Sequence, residues 1–191
     1  MELKQAIIDT AISIFAREGL HFTMQDIAAE MHIAKKTIYT VFPSKESLLC
    51  AMLDEGFSSI HADKKKILES DLDLIEKIRR VMIAMPDQYQ LIDFRRLNDL
   101  REKYPAAHER LIQHLEEDWD PVIRLLETAE EEGLIRNISI PLFRMIFTSS
   151  LESFLFTDTL SREKISYQQA LQELMDILIS GIRKDAYEED Q

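Results

Sequence analysis

Residues 23–49, TMQDIAAEMHIAKKTIYTVFPSKESLL, decide the fold of the N-terminal part of this chain. Thr23 followed by Asp26 has the spacing of a capping pair, so a helix is expected to begin there. Three apolar residues then share one face of this helix at helical spacing: Ile27, Ala28 and Met31. A turn is expected at residues 32–34. The stretch therefore predicts two short helices joined by a tight turn.

The second of these helices is expected over residues 35–41, and its two sides differ in chemistry. The apolar side chains point toward a small core and are Ile38, Val41 and Phe42. By the 3.6-residue period, the opposite side carries Lys35, Lys36, Tyr39 and Thr40, with no acidic residue among them. A polar, cationic face at the start of a helix in a helix-turn-helix is what reading the major groove of DNA requires. An ordinary solvated helix face is the alternative interpretation.

The next helix is expected to begin after Pro43 and Ser44, because proline stops one helix and serine caps another. We expect it to run past Gly56 to about Ala62 and to link the N-terminal part to the rest of the chain. The three lysines at residues 64–66 are predicted to be a solvated cluster at its end.

In this stretch the chain resembles the TetR family of transcription regulators, whose pattern is similar to T-x-x-x-I-A-x-x-x-G-V-S-x-x-T-x-Y-x-x-F-x-S-K-E-x-L. The residues that fit in register are Thr23, Ile27, Ala28, Ile33, Thr37, Tyr39, Phe42, Ser44, Lys45, Glu46 and Leu48. The resemblance implies DNA contacts at the positions of Gln25, Lys35, Lys36, Thr37, Tyr39 and Lys45. We add Thr40, which shares the outer face of the second helix, and we expect Lys45 to hold a phosphate at a helix N-terminus.

The chain departs from the family pattern at three positions. His32 stands where the family usually has glycine, Ala34 where it usually has serine, and Val41 where many members carry histidine or tyrosine. Histidine tolerates a left-handed backbone better than most residues, so the turn is expected to survive. Losing the serine cap is expected to cost roughly 1 kcal/mol.

Composition predicts an all-α protein. Only four glycines and five prolines interrupt 191 residues that are 46% hydrophobic, and alternation typical of strands is nowhere sustained. A single cysteine and the absence of an apolar stretch of about 18 residues or of a signal-like N-terminus predict a cytoplasmic protein without membrane contact. We expect a helix-turn-helix head at residues 1–46, a larger helical body at 47–186 and an acidic disordered tail at 187–191.

The net charge of −12 is unevenly distributed. Residues 1–50 carry five Lys and Arg against six Asp and Glu, so nearly all of the excess acid lies in the remainder. Because sequence-independent affinity for DNA is mostly phosphate neutralisation, we expect non-specific DNA binding to be weak.

Five or six helices are expected in the body beyond the linking helix. They span residues 71–85, one or two short segments within 87–103, 105–132 with a kink at Pro121, 141–160 and 166–184. The resemblance implies dimerisation through the last two helices and a cavity for an effector. Candidate residues for an apolar pocket are Met82, Met85, Tyr89, Trp119, Phe147 and Phe154, although residues of these types more often belong to the ordinary core.

The sequence provides no positive sign of catalysis, a metal or a cofactor. The histidines show no ligand spacing beyond His114 and Asp118, four residues apart. The chain is therefore predicted to be a ligand-responsive, homodimeric DNA-binding regulator, a repressor of a palindromic operator that is released by a small, largely apolar effector. Two alternatives remain: a helical binding protein of the same fold that has lost DNA binding, and an all-α enzyme.

Overall fold

The computed structural model describes residues 2–86, 97 and 99–184, and the regular structure in these ranges is helical. The helices are α1 (Glu2–Glu18), α2 (Met24–Glu30), α3 (Lys35–Val41), α4 (Lys45–Leu68), α5 (Leu74–Met82), α6 (Leu100–Lys103), α7 (Pro105–Glu116), α8 (Asp120–Glu131), α9 (Ile140–Phe156), α10 (Thr159–Glu163) and α11 (Tyr167–Ile182). A single antiparallel bridge in the described ranges joins Ile135 to Arg183. The all-α prediction is confirmed.

The first three helices pack around a small apolar core, and α3 has the bounds that the sequence predicted. Side chains from each helix are completely buried there: Ile7, Ile14, Ile27 and Ile38. An ion pair between Arg17 and Glu30, 3.0 Å apart, joins α1 to α2 on the outside. Burial of one apolar stripe from each helix is what holds these short helices together, because helices this short are marginal alone.

Side-chain caps fix where α2 and α4 begin. The Thr23 hydroxyl accepts hydrogen bonds from the backbone N–H groups of Gln25 and Asp26, and the Asp26 carboxylate accepts one from Thr23 N–H at 2.7 Å. The Thr23 hydroxyl also donates to the Asp26 carboxylate at 2.8 Å, and this bond, together with the one from the Thr23 N–H, holds the pKa of Asp26 below its ordinary value. Ser44 caps α4, and its reciprocal partner is Ser47.

The turn between α2 and α3 depends on His32, whose φ of 54° lies in the left-handed region. Glycine adopts this conformation without strain, whereas histidine is among the few side chains that tolerate it. Ala34 then occupies the N-cap of α3 with no side-chain hydrogen bond. The expected consequences of both departures from the family pattern are therefore present in the structure.

Helix α4 is longer than the sequence predicted, ending at Leu68 instead of near Ala62. Residues 64–66 lie within it, and the prediction of a solvated cluster is wrong for Lys64. The Lys64 side chain is only 21% exposed, and its ammonium lies 3.7 Å from the Asp118 carboxylate. Its aliphatic stem packs on the body while its charge stays paired.

Two predicted body helices are in fact divided. The segment 105–132 contains α7 and α8, separated at Asp118, whose φ is 58°. Pro121 lies in the first turn of α8, where its missing N–H leaves no helical hydrogen bond unmade, so it helps to start a helix and does not kink one. The segment 141–160 ends as α9 at Phe156, and Leu160 belongs to the short α10.

The other predicted helices of the body lie closer to those in the structure. Helix α5 begins after an Asp73 cap and ends at Met82, before Pro86 is reached. Ser166 caps α11 as expected for the last helix. Of the short helices expected within 87–103, α6 lies at residues 100–103, while residues 87–96 and the tail at 187–191 lie outside the described residues. In the described part of the chain, no helix combines the length and apolarity that a membrane crossing requires.

Helix caps provide the first test. We expect Ala34→Ser to raise the free energy of unfolding by about 1 kcal/mol, because a serine oxygen can accept from the free N–H groups at the start of α3. Thr23→Ala should lower it by about the same amount, because it removes an existing cap. Urea unfolding of the three proteins measures both changes; an Ala34→Ser protein no more stable than the parent would contradict this account of α3.

Candidate nucleic-acid interface and ligand cavity

Helix α3 presents the polar face that the sequence predicted. Ile38 is completely buried, whereas Lys35, Lys36 and Thr40 are exposed and the Tyr39 side chain is 42% exposed. The Lys35 ammonium lies 5.7 Å from the centre of the Tyr39 ring. No acidic side chain belongs to α3, so this face offers donors and positive charge to an anion.

The other candidates for DNA contact lie around α3. Gln25 is exposed in the first turn of α2, and Thr37 is half-buried. The Thr40 hydroxyl donates to the Thr37 carbonyl at 2.6 Å, so its oxygen can still accept a hydrogen bond from outside. The structure thus brings Gln25 and the α3 residues to one end of the molecule.

Lys45 is placed differently from what the sequence predicted. Its ammonium donates to the backbone carbonyls of Leu20, at 2.6 Å, and of Phe22. It also lies 4.2 Å from the centre of the Phe22 ring and 5.1 Å from that of Tyr104. These contacts satisfy the charge within the protein, so the side chain fastens α4 to the end of α1. Its role as a phosphate contact stays a prediction.

A second contact joins the same region to the body. The Glu46 carboxylate accepts a hydrogen bond from the backbone N–H of Ala106, in the first turn of α7, at 2.8 Å. Together with the Lys45–Tyr104 contact, this connects the first turn of α4 to the beginning of α7. The head therefore meets the body at the point where α4 begins.

The body encloses a cavity of about 190 Å³ beside α4. Most of its lining is apolar and comes from α1, α4, α7, α9 and α11. Leu49 and Met52 line it near the head, and Phe147 and Leu171 line it from the far helices. Burial raises the pKa of Tyr167, another lining residue, so its hydroxyl stays neutral. An apolar cavity with few polar groups is typical of small-molecule sites.

The sequence-predicted pocket residues are distributed unevenly around this cavity. Met82, Met85, Trp119 and Phe147 line it. Phe154 instead packs edge-on against Tyr167, with ring centres 6.4 Å apart. Tyr89 lies outside the described residues.

Sequence reasoning missed a polar cluster beside the cavity, in which Asp54 of α4 meets Arg110 and His114 of α7; of these three, His114 lines the cavity. The Asp54 carboxylate accepts from Arg110 Nε at 2.6 Å and pairs with His114 Nε2 at 2.8 Å. Burial disfavours ionised Asp54, but the hydrogen bonds from Arg110 and His114 prevail and lower its pKa. The His114 ring also stacks on Phe57, with centres 4.4 Å apart. The sequence does show Asp54, Arg110 and His114 as polar residues of amphipathic helices. It does not show that they meet, because Asp54 is about 60 residues from the other two in the chain.

The i, i+4 spacing of His114 and Asp118 does not bring the two residues into a pair; His114 pairs with Asp54 instead. Helix α7 ends at Glu116, so Asp118 leaves the helical path and lies 3.7 Å from both His61 Nε2 and Lys64 Nζ. Burial lowers the pKa of Lys64, and the Asp118 charge opposes that shift. Among the described residues, no group of three histidine, cysteine or acidic side chains is placed to bind a metal ion.

Lys45 gives a test of its structural role. We expect Lys45→Met to lower the free energy of unfolding by about 1–2 kcal/mol, because methionine keeps the stem but loses two charge-assisted hydrogen bonds. The matched change Lys35→Met, on the exposed face of α3, should alter it by less than about 0.5 kcal/mol. Equal stability of the two variants in urea unfolding without DNA would show that the Lys45 ammonium is not held in solution.

Residues 7–52 match the family model of bacterial regulatory proteins, tetR family. An uncharacterized HTH-type transcriptional regulator of Bacillus subtilis (strain 168), YvaF, is 25% identical over 184 residues, which are 96% of this chain and 97% of the relative. A second such regulator of the same organism, YuxN, is 46% identical over 70 residues, 34% of this chain and 24% of its own.

Solved structures share the fold at low identity. The transcriptional regulator FadR of Bacillus subtilis, in complex with stearoyl-CoA, superposes with a TM-score of 0.65 at 20% identity, covering 94% of this chain and 99% of its own. The fatty acid degradation regulator FadR of Bacillus halodurans gives a TM-score of 0.69 at 20% identity with the same coverage. The chain is therefore similar to bacterial regulators of the tetR family: its helix-turn-helix matches their family model over residues 7–52, and its helical body shares the fold of the solved regulators.

Proposed function

We propose that this protein is a sequence-specific DNA-binding repressor that occupies a palindromic operator as a homodimer and leaves it when a small, largely apolar effector binds. The observation that carries the proposal is the exposed, acid-free face of α3 within a helix-turn-helix. In this proposal residues 1–46 read DNA, and residues 47–186 bind the effector and dimerise. The alternative, a protein of this fold that has lost DNA binding, would not need to keep such a face.

The proposed division of roles on the DNA follows from geometry. Lys36, Tyr39 and Thr40 share one side of α3 by the i, i+3, i+4 rule, so they are proposed to meet base edges. Gln25, Lys35 and Thr37 flank that side and are proposed to contact bases or phosphates. For Lys45 we propose an indirect part, in which its side chain holds the first turn of α4 while the helix N-terminus faces a phosphate.

Self-association is supported by apolar side chains exposed on α9 and α11. Leu142, Met145 and Ile146 lie on one face of α9 and are 48%, 57% and 42% exposed. Ile177 on α11 is 70% exposed. Large apolar side chains grouped on neighbouring helices mark interaction surfaces, so we propose that two copies pair through these helices.

The apolar lining of the cavity supports the effector part of the proposal. The FadR of Bacillus subtilis has this fold and was solved with stearoyl-CoA, a molecule with a long apolar chain. Here α4 begins in the head and passes along the cavity. An effector that moves α4 would therefore change the separation between the α3 helices of the two copies in the dimer. By linkage, DNA must then weaken effector binding by the same factor that the effector weakens DNA binding.

DNA reading is tested by selecting preferred sequences from a random duplex library at fixed salt. The wild-type protein should select a palindrome, and Lys36→Ala should lose roughly 1–3 kcal/mol at one position in each half-site, because a bidentate base contact is removed. The matched control Lys65→Ala removes the same charge from the exposed side of α4 and should keep the wild-type preference.

Two other results are informative. If Lys36→Ala keeps the preference and only lowers the salt slope by about 1, Lys36 holds a phosphate and specificity comes from its neighbours. If the wild-type protein selects no sequence at all, DNA reading is refuted and the alternative of a binding protein is favoured.

Dimerisation is tested by sedimentation equilibrium across a range of protein concentrations. The wild-type protein should give twice the 22.3 kDa monomer mass at micromolar concentration. Ile177→Asp should weaken the dimer about thirtyfold or more, because a charge would be buried at the centre of the interface. Gln172→Asp, exposed about 140° around α11 from Ile177, should leave the mass unchanged. A monomeric wild-type protein would contradict both the dimer and the palindrome.

A further inference from the structure

We propose that the polar end of the cavity binds the protonated amine of an amphipathic ligand, through His114 Nδ1 and the Glu117 carboxylate. The apolar tail of the same molecule would occupy the rest of the cavity. This inference rests on the proposed function, since it takes the cavity to be the effector site, and it deepens that function by naming the chemical class of the effector.

The first observation is an unpartnered nitrogen. The His114 side chain is only 10% exposed and lines the cavity, and its Nδ1 is buried without a hydrogen-bond partner. Its Nε2 lies 2.8 Å from Asp54 Oδ1, and a carboxylate can only accept, so the proton of the ring belongs on Nε2. With the ring proton on Nε2, Nδ1 is an acceptor, and no donor in the described part of the protein reaches it.

The second observation is the nearest polar group to that nitrogen. Glu117 Oε2 lies 3.5 Å from His114 Nδ1, and it too can only accept. The other carboxylate oxygen, Oε1, already accepts from Gln113 Nε2 at 2.7 Å. Two acceptors therefore face each other with no donor between them. An ammonium group, which carries three donors and no acceptor, satisfies both at once.

Charge at this end of the cavity favours a cation over a neutral donor. Arg110 is paired with Asp54, and Lys64 is paired with Asp118. The carboxylate of Glu117 is left as the uncompensated charge, so the polar end is negative by one. A carboxylate or phosphate head group would meet that charge and two facing acceptors, and we therefore exclude it as the preferred ligand.

The rest of the lining requires the ligand to be amphipathic. Beyond the polar end, the walls are formed by leucine, methionine and aromatic side chains, including Leu49, Met52 and Phe147. The nearest indole N–H, that of Trp119, donates to the Leu115 carbonyl at 3.2 Å and so does not compete for the ligand. An alkyl chain in this space would be stabilised in proportion to the apolar area it buries.

The proposed site also lies where a ligand can act on α4. His114 and Glu117 belong to α7 and the turn after it, but His114 is bonded to Asp54 and stacked on Phe57, both on α4. A group that pulls His114 toward Glu117 therefore acts on the contact between α7 and α4.

The test compares three probes with the same tail and different head groups: decylamine, decanol and decanoate. Trp119 is the only tryptophan in the sequence and lines the cavity, so its fluorescence reports binding to the free protein without DNA. At pH 7.5 the amine is protonated, because its pKa resembles that of lysine. We expect decylamine to bind about tenfold more tightly than decanol and more tightly still than decanoate.

Three substitutions test which residues bind the head group of the ligand. His114→Phe keeps an aromatic ring against Phe57 but removes the acceptor, and Glu117→Gln removes the negative charge at a half-exposed position where folding is not at risk. Both should reduce the preference for decylamine over decanol to less than about threefold. Glu116→Gln is the matched control, since Glu116 pairs with Arg144 instead, and it should keep the full preference.

Four results would overturn the proposal: no binding of any probe, equal binding of decylamine and decanol, tighter binding of decanoate, or an amine preference that survives both substitutions. Because none of these measurements contains DNA, they are separate from the operator selection. A protein that selects a palindrome but ignores decylamine keeps the DNA-binding function and loses the amine site; the reverse result would leave a ligand-binding protein without DNA reading.

Discussion

The constraint on which the structure depends is the continuity of α4. Its 24 residues span about 36 Å, and they belong to two packing environments at once. Leu48 and Leu49 are buried near α1, in the first turns, while Asp54 and Lys64 pair with groups of α7 and the turn after it. Because an unbroken helix transmits displacement along its axis, neither end can be repositioned without affecting the other. The proposed release of DNA by an effector depends on that property.

The contacts at the two ends of α4 differ in kind. Near the head they are charge-assisted and local: Lys45 binds carbonyls at the end of α1, and Glu46 binds the backbone of α7. Along the body, they are ion pairs around an apolar cavity that can admit a ligand. In the proposed function, a ligand in the cavity would act on the ion pairs along the body, and the unbroken helix would carry that change to the head.

Much of the head could be predicted from sequence because its signals are local. The caps at Thr23 and Ser44, the turn at His32 and the two-sided pattern of α3 are each written within a few residues. The helix boundaries of the body were harder to predict, because a proline at the second position of a helix looks the same in sequence as a proline inside one. Pro121 was therefore misplaced, and the break at Asp118, which depends on backbone conformation, was missed.

The cavity was harder still to predict, because residues far apart in the sequence form it. Apolar residues could be named as candidates, but His114 of α7, a polar residue of the lining, is held by Asp54 of α4, 60 residues away in the chain. No periodicity in either helix indicates that Asp54 and His114 meet. Conversely, Lys45 fitted a sequence pattern well, while its partners became evident only when the carbonyls of Leu20 and Phe22 were placed beside it.

The acid-free face of α3 has a consequence for how the protein would meet DNA. Nearly all of the −12 charge lies beyond residue 50, so the molecule has an electric dipole with its less negative pole at the helix-turn-helix. In the field of a duplex, that dipole exerts a torque that turns the body outward and presents α3 to the grooves. Attraction along the backbone would be weak, so in the proposed function sliding would contribute less to finding an operator than oriented collisions from solution.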